Sequence, residues 1–263
     1  MEIRKQEEAL FHDMIRDKNL EKNQEEFQYY TSNMKYYSVV RGSFGYRYDW
    51  LKNNCKGKKV LDFCCGNGKT SFFLAENGAD AYGIDISPVS VENAREAAKK
   101  VGLDEHAHFF VMDAEKTNFE DNFFDMANCF GVLHHLDIEK AYAELSRVVK
   151  PDGKVICNEA LIHNPIIQLY RVATPHMRTE WETEHILGRK QIKLAKKYFK
   201  NVDIKFFHLT DLAATPFRNT FLFNYLLKIF ETIDSVILRI PGIRWWAWHS
   251  VFIMSEPIKK DKA

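Results

Sequence analysis

Three aspartates stand where short apolar segments end, and a glycine-bearing loop follows the first of them. Asp62, Asp85 and Asp113 each close one such segment, and Gly66 and Gly68 lie just after Asp62. Carboxylates accept hydrogen bonds from ribose hydroxyls and amino groups, whereas glycine lets the backbone turn tightly and approach a ligand. If the three segments are neighbouring parallel strands, this spacing predicts one rim of a sheet that could hold an extended nucleoside.

Further polar side chains could act on a second ligand near this rim. His134 and His135 follow the next apolar segment, and either could take a proton as a general base because histidine titrates near neutral pH. Further along, His163, Arg171 and Arg178 could bind an acceptor, since guanidinium pairs well with carboxylate or phosphate. The open alternatives are structural roles for the histidines and ion pairs with nearby glutamates for the arginines.

Aromatic side chains are concentrated near the N-terminus. Tyr36 and Tyr37, with Tyr29 and Tyr30, could attract a cationic ligand through their ring faces, or could simply pack the N-terminal helix onto the sheet. Glu182 and His185 are three residues apart but lack a further ligand at regular spacing, so no metal site is predicted.

The elements that must position these residues alternate regularly from residue 58 onward. Helical patterns such as 88–100, with Ser87 as its N-cap, and 138–149, capped by Asp137, separate the short apolar runs. A helical pattern at 188–199 precedes the last runs. The predicted strands are 59–63, 79–84, 108–112, 124–129, 154–158, 203–208 and 246–254. This alternation predicts an α/β fold with a seven-stranded, mostly parallel, Rossmann-like sheet and helices on both faces.

The segments 60–68, 83–87 and 112–114 together resemble the class I S-adenosylmethionine-dependent methyltransferases, in the small-molecule branch that acts on ubiquinone and menaquinone precursors. The resemblance covers about residues 58–158 and implies S-adenosylmethionine as the cofactor. It implies that Asp85 holds the ribose and that Asp113 approaches the adenine. The residues to which the resemblance assigns cofactor contacts are Asp62, Cys64, Gly66, Gly68, Asp85, Ile86, Asp113, Ala114, Cys129 and Phe130. Cys64 departs from the family, which commonly has glycine at that position.

Other nucleotide sites fit the loop less well. A phosphate-binding P-loop would need glycine five residues before Gly68, where Phe63 stands. A dinucleotide loop would need glycine or alanine at Ser71. A nucleotide-free α/β domain whose acids cap helices is the remaining alternative.

Composition restricts the class of protein. The chain has 263 residues, 46% hydrophobic and 28% charged, which is typical of a globular protein. Its net charge of +1 gives no support for a nucleic-acid partner. The five cysteines, two of them adjacent, predict reduced thiols and a cytoplasmic location. The densely charged N-terminus argues against a signal peptide, and charges interrupt the most apolar stretch, so no membrane span is predicted.

Two long segments interrupt the alternation and predict a helical cap. We expect residues 1–50 to form an N-terminal helical and aromatic lid, and 51–263 to form the methyltransferase domain with cap insertions at 159–187 and 210–244. Within the second insertion, polar residues recur at helical spacing on a mostly apolar segment. Core packing, an apolar acceptor pocket, a homodimer face and peripheral membrane contact through 221–248 all remain open.

The acceptor predicted from these features is a small molecule with a large apolar part, methylated at oxygen or carbon by in-line transfer. The motifs typical of nucleic-acid methyltransferases are absent after the fourth strand, where the chain reads Asn128-Cys129-Phe130-Gly131. The alternatives are a sugar or glycolipid hydroxyl as acceptor, and a protein that binds the cofactor without catalysis.

Overall fold

The computed structural model describes residues 2–16, 38–174 and 180–259. Its centre is one sheet of seven strands in the order β3-β2-β1-β4-β5-β7-β6. Neighbouring strands from β3 to β5 pair in parallel, whereas β7 is antiparallel to both β5 and β6. The strands are β1 (Lys59–Phe63), β2 (Asp80–Asp85), β3 (Ala107–Val111), β4 (Phe124–Phe130), β5 (Val149–Ala160), β6 (Phe199–Phe207) and β7 (His249–Pro257). The predicted mostly parallel α/β sheet is confirmed.

Helices cover both faces of the sheet, and 3₁₀ turns occupy several connections. The helices are α1 (Ile3–Arg16), α2 (Arg41–Asn54), α3 (Lys69–Glu76), α4 (Pro88–Val101), α5 (Ile138–Val148), α6 (Pro165–Ala173), α7 (Glu180–His185), α8 (Arg189–Leu194) and α9 (Phe223–Ile237). The 3₁₀ helices are Leu133–His135, Ala195–Lys197, Asp211–Phe217 and Ile243–Trp246. The predicted N-caps hold, since Ser87 Oγ accepts a hydrogen bond from Ser90 N at 3.0 Å and Asp137 Oδ1 accepts one from Glu139 N at 3.1 Å.

The alternation of side chains along β1 divides the core between the two faces. Leu61 and Phe63 pack in one buried cluster with Tyr142 of α5, whereas Val60 packs in another with Leu51 of α2 and Leu74 of α3. Successive residues of a strand point to opposite faces. The side chain of residue 62 therefore lies on the same face as that of Val60.

Several element boundaries differ from those predicted. The predicted helix 188–199 ends early, because Ala195–Lys197 form a 3₁₀ turn and β6 already begins at Phe199. The predicted strand 154–158 is the central part of a longer β5, which begins at Val149, and the pairing with β4 jumps from Val149 to Lys154. β7 begins at His249, because the tryptophan-rich residues before it form the 3₁₀ helix Ile243–Trp246.

Residues 159–187 contain α6 and α7, and residues 210–244 contain the 3₁₀ helix Asp211–Phe217 and the helix α9. Ile167 of α6 packs with Leu227 of α9 and with Val40 just before α2 in one buried cluster. Across the described ranges, the helices are all too short or too polar to cross a bilayer. The boundary predicted at residue 50 falls within α2, which contacts β5 and β7.

Candidate active site

A cavity of about 330 Å³ opens at the carboxyl ends of β1 to β4. This is the edge at which open α/β sheets bind ligands. Of the residues predicted to contact the cofactor or act in catalysis, eight share its wall: Cys64, Gly66, Asp85, Ile86, Asp113, Ala114, Phe130 and His135. The fold therefore brings the ends of four strands to one site, as the spacing of the aspartates predicted.

Asp85 connects the glycine loop to the end of β2. Its Oδ2 accepts a hydrogen bond from Gly66 N at 2.8 Å, and its Oδ1 accepts one from Ser87 N at 3.0 Å. The side chain is only 5% exposed, yet it borders the cavity. One carboxylate therefore fixes the loop and also presents an acceptor edge to a ligand.

Three residues of the loop have a positive φ: Cys64, Gly66 and Gly68. Cys64 has a φ of 60°, in the left-handed region that disfavours residues with a Cβ, which accounts for glycine being common there in the family. Gly68 has a φ of 80°, and a Cβ on it would lie 2.8 Å from the ring of Phe109. The loop therefore tolerates a side chain at Cys64 but has no room for one at Gly68.

Helix α1 lies across the cavity and pairs with the acids that follow β3. Lys5 Nζ contacts Asp113 Oδ2 at 2.7 Å and Glu115 Oε2 at 2.8 Å, and Arg4 Nη1 donates to the His135 carbonyl oxygen at 2.8 Å. Burial lowers the pKa of Lys5, but the hydrogen bonds to Asp113 and Glu115 outweigh it and raise the pKa overall. The ammonium group is therefore charged where it meets the predicted adenine-binding carboxylate.

Asp62 does not reach the cavity wall. Its Oδ2 accepts a hydrogen bond from Ser71 Oγ at 2.7 Å and its Oδ1 one from Asn128 Nδ2 at 2.8 Å. Asn128 Oδ1 in turn accepts from Arg47 Nη1 at 2.8 Å. Burial raises the pKa of Asp62, and its hydrogen bonds oppose that rise. Strand alternation directs the Asp62 side chain to the face of the sheet that α2 and α3 cover. Its hydrogen bonds there stabilise the elements around the loop.

The two adjacent histidines occupy different environments. His134 Nδ1 lies 2.9 Å from Glu159 Oε2, and Glu159 Oε1 accepts backbone hydrogen bonds from Val132 and Leu133. His135 borders the cavity, and its Nδ1 lies 3.1 Å from Glu8 Oε2. Only His135 is therefore in a position to act on a ligand in the cavity.

The other predicted site residues lie elsewhere. Cys129 is fully buried beside Cys157, and its burial raises the thiol pKa well above the ordinary value. Arg171 donates to the Leu161 carbonyl oxygen at 3.0 Å, and His163 is exposed near Gly188, so neither lines the cavity. Tyr36, Tyr37 and Arg178, with Tyr29 and Tyr30, fall outside the described residues.

A Ser-His-Asp arrangement in the cap is structural. His208 Nδ1 lies 2.5 Å from Asp211 Oδ2, and its Nε2 lies 2.9 Å from Ser43 Oγ. All three residues are at most 2% exposed, so no substrate can reach the serine hydroxyl. The cluster joins α2 to the end of β6.

Sequence reasoning missed the contribution of α1 to the cavity wall. Four residues of this helix line it: Arg4, Lys5, Glu8 and His12. The available signal was their spacing, because residues four apart share one helix face. Nothing in the local pattern, however, indicates which distant surface that face contacts.

Comparisons with known proteins agree with this geometry. Residues 61–157 match the sequence model of a family described as "Methyltransferase domain". A tocopherol O-methyltransferase of Arabidopsis thaliana is 40% identical over 103 residues, which are 38% of this chain and 30% of that protein. A demethylmenaquinone methyltransferase of Anoxybacillus flavithermus is 35% identical over 120 residues, 43% of this chain and 50% of that protein. The chain thus matches half or less of the length of either relative.

Among solved structures, a geranyl diphosphate C-methyltransferase from Streptomyces coelicolor has a similar fold. The TM-score is 0.58 at 14% identity, over 81% of this chain and 79% of that one. The fold is thus the Rossmann-like fold of the class I methyltransferases. More particularly, residues 61–157 are similar to the family described as "Methyltransferase domain", in agreement with the predicted resemblance.

Proposed function

We propose that the protein is an S-adenosylmethionine-dependent methyltransferase whose acceptor is a small molecule with a large apolar part. The observation that carries this proposal is the cavity itself, where Asp85, Asp113 and the Cys64–Gly66 loop meet at the ends of parallel strands. The relatives named for tocopherol and demethylmenaquinone methylation support an apolar acceptor.

The residues around the cavity suit this cofactor. Asp85 presents a carboxylate where ribose hydroxyls would lie, and Ile86 and Ala114 supply apolar surface for a purine ring. When bound, the cofactor supplies an electrophilic methyl group on a sulfonium sulfur. The protein's task is to align an acceptor with that group and exclude water.

Three of the residues predicted to contact the cofactor have indirect roles in this proposal. Asp62 and Gly68 act through the shape of the loop, and Cys129 through the packing beneath it. Of the two histidines suggested as a general base, we retain His135, because His134 is engaged with Glu159. The guanidinium carbon of Arg47 lies 4.3 Å from the centre of the Phe130 ring. Phe130 forms an apolar wall of the cavity on the side of β4.

The acceptor is proposed to enter beneath a lid formed by residues 1–50, including Tyr36 and Tyr37. Helix α1, the described first part of this segment, already contributes four side chains to the wall. His163, Arg171 and Arg178 remain proposed contacts for a polar end of the acceptor. Arg171 would have to exchange its contact with the Leu161 carbonyl oxygen for one with the ligand.

We propose a cytoplasmic location with peripheral membrane contact through residues 221–248. Phe221 and Tyr225 are 92% and 69% exposed, and Trp246 is 55% exposed, so apolar side chains are available to a bilayer surface. A homodimer through the same surface is the competing proposal for these side chains. No nucleic-acid partner is proposed.

The decisive experiment measures methyl transfer from labelled S-adenosylmethionine. Purified protein is incubated separately with prenylated quinols, simple phenols and sugars. We expect labelled product with the prenylated quinols and little with the others. Transfer only to sugars would replace the apolar acceptor with a sugar or glycolipid. Tight cofactor binding without labelled product from any set, or from a metabolite extract, would indicate a non-catalytic binding protein.

A further inference from the structure

Three side chains of metal-binding type meet on the cavity wall beneath α1. Glu8 and His12 are four residues apart and therefore share one face of the helix, and His135 comes from the 3₁₀ helix after β4. Glu8 Oε2 lies 3.1 Å from His135 Nδ1 and 3.7 Å from His12 Nε2. The three candidate ligand atoms all lie within 4.8 Å of one another, and Glu8 is only 5% exposed.

We propose that Glu8, His12 and His135 form a binding site for a divalent transition-metal ion, with Zn²⁺ as the preferred ion. Two imidazole nitrogens and one carboxylate oxygen are the donor set of many zinc sites that keep a position open for a further ligand. Bonds of about 2.1 Å in a tetrahedron place ligand atoms about 3.4 Å apart. The distances from Glu8 Oε2 to the two imidazoles, 3.1 and 3.7 Å, lie on either side of that value, and the imidazole nitrogens are within 4.8 Å of each other, so side-chain movements of about an ångström would complete the site.

The positively charged side chains beside the cluster contact acids outside it. The two cationic residues of α1 next to it are directed to other acids, since Arg4 contacts Glu115 at 2.5 Å and Lys5 contacts Asp113 at 2.7 Å. These contacts also hold α1 against the domain, so the helix brings its two ligands to His135 without the ion. A bound ion would add a direct link between α1 and the end of β4.

An ion at this site has a chemical consequence that rests on the proposed function. All three ligands border the cavity, so a further ligand of the ion, such as the hydroxyl of an acceptor, would lie within that cavity. A hydroxyl oxygen bound there would lose its proton to solvent more readily. The oxygen–carbon bond would then form as the carbon–sulfur bond breaks, and that electron pair would return to sulfur. His135 would serve as a ligand in this arrangement. Because the ion would let the hydroxyl lose its proton to solvent, no side chain would be needed as a general base.

The test measures binding of Zn²⁺ by calorimetry and of Co²⁺ by absorption, using the full chain. We expect one tight equivalent, and a Co²⁺ spectrum without the charge-transfer band that cysteine ligands would give. Glu8→Gln, His12→Gln and His135→Gln should each weaken binding at least about tenfold. His108→Gln is the matched control, because that imidazole pairs with Asp80 at 2.9 Å, outside the cluster.

If His135→Gln fails to fold, the two variants of α1, Glu8→Gln and His12→Gln, still test the metal site. Absence of tight binding, or equal affinity in wild type, Glu8→Gln and His12→Gln, would overturn the metal site. Binding is measured without cofactor or acceptor, so its failure leaves the methyltransferase proposal standing. Conversely, a tight ion that depends on all three ligands supports the site even if no acceptor is methylated.

Discussion

The carboxylate of Asp85 holds the glycine loop at the border of the cavity. Its two oxygens accept hydrogen bonds from Gly66 N and Ser87 N, so the residue fixes the backbone after β1 and after β2. A substitution would therefore loosen the loop and would also remove the proposed ribose contact.

We expect Asp85→Ala to raise the dissociation constant of S-adenosylmethionine at least about tenfold, since a hydrogen bond involving a charged group contributes about 1.5–3 kcal/mol. Calorimetric titration with the cofactor or its demethylated product measures this. Asp80→Ala is the control, because Asp80 begins the same strand and contacts Tyr82 and His108 instead. Equal affinity in wild type and Asp85→Ala would remove the ribose assignment.

The backbone of Cys64 provides a second test at the level of single residues. A left-handed conformation costs a residue with a Cβ about 1–2 kcal/mol, and glycine avoids this cost. Cys65, next in the chain, is not among the residues with positive φ. We expect Cys64→Gly to be more stable than Cys65→Gly by about 1 kcal/mol in denaturant unfolding. Equal losses in the two variants would show that Cys64 carries no such strain.

Among the elements, α1 is held to the domain mainly by polar contacts. Lys5 pairs with Asp113 and Glu115, and Asp13 Oδ1 accepts a hydrogen bond from Ser87 Oγ at 2.5 Å near the other end of the helix. These contacts place α1 over the cavity, so its docking and the retention of a ligand should be coupled.

Lys5→Met should loosen α1, because it removes the charge that pairs with Glu115, whose side chain is 1% exposed. Glu115 keeps its contact with Arg4, but the loss of a hydrogen bond to a charged group still costs about 1.5–3 kcal/mol. We expect amide hydrogen exchange in α1 to rise about tenfold and the cofactor to dissociate faster. Lys100→Met, at an exposed pair with Glu96, serves as the control. Exchange in α1 that stays at the wild-type rate would contradict this account of its docking.

At the scale of the whole molecule, exposed apolar side chains recur on two helices of the cap, α6 and α9, and beside them. We define the cap surface as Leu169 and Val172 of α6, Phe221 just before α9, and Tyr225 of α9. Leu169 and Val172 are 74% and 76% exposed. The helices that carry these residues share one buried cluster, so the four side chains belong to neighbouring elements. A surface of this kind suits contact with a lipid bilayer.

The double variant Leu169→Ser and Phe221→Ser should reduce co-sedimentation with anionic vesicles about tenfold or more, since each buried apolar side chain contributes about 1.5–3 kcal/mol. Val101→Ser, at the exposed end of α4, is the control. If light scattering shows a wild-type dimer that the double variant abolishes, while vesicle binding is absent, the cap surface is a dimer face instead.

The sequence by itself determined the succession of strands along the chain, the mostly parallel sheet and the rim that Asp85 and Asp113 border. These follow from local periodicity, turn residues and caps, because each depends on side chains close together in the chain. The same reasoning identified the methyltransferase resemblance from three strand ends and showed that Cys64 departs from the family, whereas the reason, a positive φ, came from the structure.

Only the tertiary structure decided what each polar residue touches. It turned Asp62 beneath α2 and α3, separated the roles of His134 and His135, and placed α1 over the cavity. The side-chain direction of Asp62 follows from strand alternation, but its partner Asn128, which in turn accepts a hydrogen bond from Arg47, is distant in the chain. The contact between Glu8 and His135 joins residues more than a hundred positions apart, and local patterns carry no information about such pairs.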